Sequence, residues 1–68
     1  MNAPKPDERW RHKRSDRVYV VLHIGTLQTS AAPDLDDELC VVYQNETHYA
    51  IWVRPLDEFM DGRFERVE

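Results

Sequence analysis

Every apolar run in this chain is short and ends within a few residues at a turn, and none is long enough to build a substantial helix. That pattern restricts the chain to small antiparallel β structure. Val18 to Ile24 reads as the first long strand, with Val18, Val20, Leu22 and Ile24 alternating against Tyr19, Val21 and His23. It is apolar on nearly both faces, which predicts that much of both is covered. Gly25 then predicts a bend or bulge. Glu38 to Gln44 is a second strand, with Leu39, Val41 and Tyr43 opposite Cys40 and Val42. Asn45 to Thr47 forms a short turn, and His48 to Arg54 returns as a hairpin partner that Pro55 ends.

The remaining segments are shorter. Trp10 to His12 begins a short strand before the polar turn Lys13 to Asp16, and Gln28 to Asp37 is a polar, acidic loop. Leu56 to Met60 has room for one helical turn, Asp61-Gly62 signals a turn, and Arg63 to Val67 is a last strand. The expected fold is mostly β: a small SH3-like antiparallel β-barrel of four or five short strands with at most one helical turn. Residues 1–7 are expected as a mobile N-terminal tail and residues 8–68 as one small domain. Val20, Leu22, Val41, Tyr43, Ile51, Val53 and Phe64 are the expected core.

With 68 residues the core is small. A domain of this size buries only about 60% of its unfolded surface. Cys40 is the only cysteine, so no intrachain disulfide adds stability, and one thiol with three scattered histidines makes no zinc pattern. Self-association is the remaining route, so a homo-oligomer is expected. The free thiol and the lack of a signal-like segment point to the cytoplasm. No apolar run reaches the length of a membrane span, so no membrane contact is expected.

The formal net charge is −4, unevenly distributed. Six of the nine basic residues are Lys5, Arg9, Arg11, Lys13, Arg14 and Arg17, while Asp34, Asp36, Asp37 and Glu38 crowd together. An acidic chain is a poor non-specific binder of nucleic acid, yet a local basic patch can hold a phosphate.

Trp52 and Arg54 stand two residues apart on one strand and therefore on one face. If Ile51 and Val53 face the core, an indole and a guanidinium lie together on the surface, a pairing common at recognition sites. Such a site stacks a flat ring and holds a carboxylate or phosphate. The structural alternative places Trp52 in the interior and pairs Arg54 with Asp57 or Glu58. Arg11 and His12 join the candidate ligand site because the first and last strands of a small barrel tend to meet. Their alternative is a solvated basic face.

His23 and His48 read as structural histidines, and Cys40 as a buried inert thiol. The acidic loop lacks the glycine and glutamate spacing of a calcium loop. With only Gly25 and Gly62, there is no glycine-rich phosphate loop. No catalytic residues, metal or cofactor are indicated, and an enzyme is not expected.

Arg11-His12-Lys13, Val20-Val21-Leu22, Glu38 to Gln44, Trp52-Val53-Arg54-Pro55-Leu56, Phe59 and Arg63-Phe64-Glu65 together resemble the domain of unknown function 1653 family of small bacterial and phage proteins. The chain departs from that family at Lys13-Arg14-Ser15-Asp16, which has no glycine, and at the longer acidic loop after Leu27. The resemblance implies a compact β-rich fold and no assigned activity. Its phage occurrence, joined to the chemistry of Trp52, Arg54, Arg11 and His12, gives the expected function. This is a non-catalytic module that binds or sequesters a small anionic, nucleotide-like ligand. The alternatives are a protein-interaction adaptor built on an SH3-like barrel and a single-stranded nucleic-acid binder, the latter disfavoured by the net charge.

Overall fold

The computed structural model describes residues 3–68. Strand β1 (Arg9–His12) turns into β2 (Val18–Thr26), a 3₁₀ turn follows at Pro33–Leu35, and β3 (Leu39–Asn45) and β4 (Ile51–Pro55) form a hairpin. One helical turn, α1 (Leu56–Phe59), leads to β5 (Phe64–Val67). The strands form one antiparallel sheet in the order β4-β3-β2-β1-β5. The mostly β class and the single helical turn agree with the sequence.

The sheet is not closed, so the fold is not a true barrel. β4 and β5 are its two edges, and the chain passes between them through α1. The gap is filled by side chains instead of a strand pair. Phe59 of α1 is fully buried and meets Trp10, Tyr43 and Phe64. Its ring stacks on Phe64 with centroids 4.2 Å apart, and Tyr43 and Trp10 present edges to it at 5.3 and 5.4 Å. Such pairs add about 0.5–1.5 kcal/mol beyond the area they bury. An aromatic plug therefore does what closure of the sheet was expected to do.

The core is Trp10, Val21, Val41, Tyr43, Phe59 and Phe64, with Tyr19, Ile24, Leu56 and Met60 against it. Val41, Tyr43 and Phe64 agree with expectation, but four expected core residues do not. Val20 and Leu22 are only half-buried, because the inward phase of β2 is that of Tyr19 and Val21. A bulge at Leu22 then shifts the register: Val21 lies opposite Tyr43, but His23 lies opposite Val42. The extra residue reverses the alternation and brings Ile24 inward. Gly25, where a bend or bulge was expected, is paired with Cys40.

Ile51 and Val53 are 58% and 63% exposed. Register explains why. Tyr43 and Val41 point inward, Trp52 and Arg54 are their partners on β4, and residues directly opposite share a face. Ile51 and Val53 must therefore point outward.

Of the segment expected as a tail, residues 1 and 2 lie outside the described residues. Pro4 is buried, the Asp7 N–H donates to the Val21 carbonyl at 2.8 Å, and the Val21 N–H donates to the Glu8 carbonyl at 2.9 Å. The Trp10 indole N–H reaches Glu8 at 3.2 Å, and the Lys5 backbone N–H does so at 2.9 Å. The latter bond is the main influence holding the Glu8 carboxyl below its ordinary pKa. Among the described residues, no helix is long and apolar enough to cross a membrane.

Candidate functional site

The inward face of β4 continues past the core into a cleft of about 270 Å³ at the edge of the sheet. Trp52 and Arg54 form one side of it, and His12 at the end of β1 forms the other. Tyr19, Tyr43 and Phe64 make the aromatic floor, and Arg17 and Ser15 come from the β1–β2 connection. Among the described residues, no carboxylate lines the cleft. A chain with a net charge of −4 thus places two arginines and a histidine around a single aromatic-floored hollow.

Three of the four expected site residues, Trp52, Arg54 and His12, come together here. Trp52 is half exposed, at 50%, which lies between the platform and the core readings. Arg54 is more confined. Its Nη1 is buried and has no hydrogen-bond partner, and Glu58, the nearest carboxylate, stands 3.8 Å away. That is an ion-pair distance but too long for a hydrogen bond. The guanidinium carbon sits 5.7 Å from the Phe64 ring centre, a cation–π arrangement. Leaving a buried charged donor without an acceptor is costly.

Arg11 does not join them. Alternation sends Trp10 and His12 inward, so Arg11 projects from the opposite face. There it makes ion pairs with Glu65 and Asp16, its Nε donating to Glu65 at 2.8 Å.

His12 is held by its surroundings. Its Nδ1 accepts the Ser15 backbone N–H at 3.2 Å and lies 3.1 Å from the Ser15 hydroxyl, and its ring meets Phe64 edge-on at 5.0 Å. Burial pushes its pKa below 6.5, and the charges of Arg54, Arg14 and Arg63 add to the effect. Tyr43 shifts the other way. Burial raises its phenol, and the positive charge of Arg54 and the hydrogen bond that guanidinium offers only partly offset that. Both neutral side chains can form hydrogen bonds to a ligand.

A second hollow of about 490 Å³ shares His12 and is lined by Lys13, Arg14, Gly62 and Arg63. Arg63 is partly neutralised by Asp61 at 2.9 Å and Glu58 at 3.5 Å. Basic surface thus continues from the aromatic cleft across His12. A cavity of similar size under the Gln28–Asp36 loop is lined by Gln28, Thr29, Ser30, Pro33 and Asp36, with neither cation nor aromatic. Size alone would favour either of these hollows over the aromatic cleft, but the loop's lining carries a carboxylate, Asp36, and no cation to hold an anion.

Sequence reasoning missed Arg17, Tyr19 and Ser15 as cleft residues. A signal was present for two of them: Arg17 and Tyr19 are two residues apart in near-extended chain, the spacing that singled out Trp52 and Arg54. His23 and His48 are exposed and lie outside this cleft, and Cys40 is buried with its Sγ 3.7 Å from the Glu38 carbonyl. Among the described residues no group of three or more His, Cys, Asp or Glu side chains gathers as a metal site would require.

Comparison with family models, curated proteins and solved structures gave no match. The resemblance to the domain of unknown function 1653 family therefore rests on the sequence motifs alone.

Proposed function

We propose that this protein is a non-catalytic binding module whose cleft holds a small anionic ligand carrying a flat ring, of the nucleotide class. The observation that carries this reading is the lining of the cleft, where Trp52, Arg54, Arg17 and His12 meet over Tyr19, Tyr43 and Phe64 with no carboxylate among the described lining residues. In this arrangement Trp52 stacks on the ring and Arg54 takes an anionic oxygen. His12 donates a second hydrogen bond, and the basic hollow beyond it accommodates further phosphate. The cleft is slightly smaller than the usual 300–1,000 Å³ of drug-sized sites. A single nucleotide suits it better than a long polymer. The protein would bind or sequester such a ligand without changing it.

Calorimetry tests the reading with a panel of nucleoside monophosphates, diphosphates and unphosphorylated nucleosides. The phosphorylated members should bind and the nucleosides should bind far more weakly. Binding should weaken with salt, as expected for a charge-assisted contact. If no member binds, the nucleotide reading falls.

A further inference from the structure

We infer that β4 pairs edge to edge with β4 of a second copy of this chain, about a two-fold axis at Val53. The two edges of the sheet differ. β5 presents Glu65 and Arg66, both charged and exposed, the usual way of blocking a free edge. β4 presents Ile51, Trp52 and Val53, which are 58%, 50% and 63% exposed. Its only charge, Arg54, is turned into the cleft.

The hydrogen-bond phase of β4 is fixed by its hairpin. The Asn45 N–H donates to the Ala50 carbonyl at 2.9 Å, and the register pairs Tyr43 with Trp52 and Val41 with Arg54. In an antiparallel ladder such bonded pairs recur at every second residue. The backbone groups of Trp52 and Arg54 therefore face β3, while those of Ile51 and Val53 face outward. Pro55 occupies the next outward position, where its missing N–H breaks no bond of the sheet.

This edge is self-complementary. With Val53 opposite its own copy, the two valines exchange a pair of hydrogen bonds, and the ladder ends at Pro55, whose carbonyl caps α1. The side chains then match on both faces. Ile51 and Val53 cover apolar surface on the outer face. On the cleft face Trp52 lies opposite Arg54 of the partner subunit, and both side chains stay turned toward their own clefts. The result is an isologous dimer with a continuous ten-stranded sheet, made from two five-stranded sheets. The inference rests on edge geometry and does not depend on the ligand.

Sedimentation velocity without ligand tests it, using wild type, Val53→Pro and Arg66→Pro. Lys13 N–H donates to the Arg63 carbonyl, and the β1–β5 register places the Arg66 backbone on the outer side of β5, so Arg66→Pro is the matched control at the other edge. Wild type should sediment at twice the chain mass at high micromolar concentration. Val53→Pro should be a folded monomer by circular dichroism, and Arg66→Pro should remain a dimer. If Val53→Pro does not fold, Val53→Asp replaces it, setting two carboxylates against each other at the axis, and it too should be monomeric. A monomeric wild type, a dimer that survives the Val53 change, or a dimer lost through Arg66→Pro would each overturn the inference.

Discussion

Arg11 and Arg54 are similarly buried, with 33% and 26% of their side chains exposed, yet they differ in what they can still do. Arg11 lies on the outer face of the sheet and is paired with Glu65 and Asp16. Arg54 lies on the inner face, with its Nη1 buried and unpartnered and its nearest carboxylate 3.8 Å away. An arginine with two carboxylates in hydrogen-bonding range gains little from a further anion, whereas one that lines the cleft with its nearest carboxylate beyond that range gains a charge-assisted bond. The difference comes from strand phase. Arg11 and His12 are consecutive in β1, so only one of them can face the cleft.

The sharpest way to break the comparison is Arg54→Ala. Loss of a charged hydrogen bond costs about 1.5–3 kcal/mol, or roughly ten- to a hundredfold in affinity. Calorimetry with adenosine monophosphate should show that loss while the thermal melt stays close to wild type. If the variant unfolds, Arg54 is structural. Trp52→Ala should follow, since stacking of a base on an aromatic contributes about 1–3 kcal/mol. Its exposure predicts a folded protein, which the same melt checks.

His12 gives a smaller, pH-dependent effect. In the free protein its pKa lies below 6.5, through burial first and then Arg54, Arg14 and Arg63. The unfolded chain therefore takes up this proton first as pH falls. Stability contributed by neutral His12 is present above pH 6.5 and declines as pH drops through that range toward the lower folded value. A bound anion favours the imidazolium and raises the pKa, so binding takes up a proton. Affinity should then rise as pH falls from the bound pKa toward the free one. His12→Gln should remove that part of the slope and leave only the titration of the ligand phosphate.

The smallest effect belongs to Arg11→Ala. It removes exposed ion pairs, so it should lower the melting temperature slightly and leave nucleotide affinity unchanged. An affinity loss matching that of Arg54→Ala would erase the distinction between the two arginines.

Much of this was readable from the sequence. The hairpin of β3 and β4 followed from two apolar runs around Asn45 to Thr47, although its return strand begins at Ile51 and not at His48, and the helical turn followed from Leu56 to Met60. Phase was harder. Ile51-Trp52-Val53 is apolar at three successive positions, so alternation fits either orientation, and only the pairing of Trp52 with Tyr43 decides it. β2 is ambiguous for the same reason, and the bulge at Leu22 leaves no glycine or proline to mark it. Barrel closure was expected from strand count, but the sequence does not show that Phe59 and Phe64 would stack across the opening. For the site, alternation was already enough to separate Arg11 from His12. It could not show that Arg54 has no carboxylate in hydrogen-bonding range, because Glu58, one turn away, reads as a close partner until its distance is known.

Arginine side-chain NMR during titration with adenosine monophosphate tests the central claim most directly. It observes both guanidinium groups in one unaltered protein. The account predicts saturable shifts of the Arg54 Nε–H and the Trp52 indole N–H, with the Arg11 Nε–H unmoved. Shifts centred on Arg11, or none at either arginine at saturating nucleotide, would contradict it.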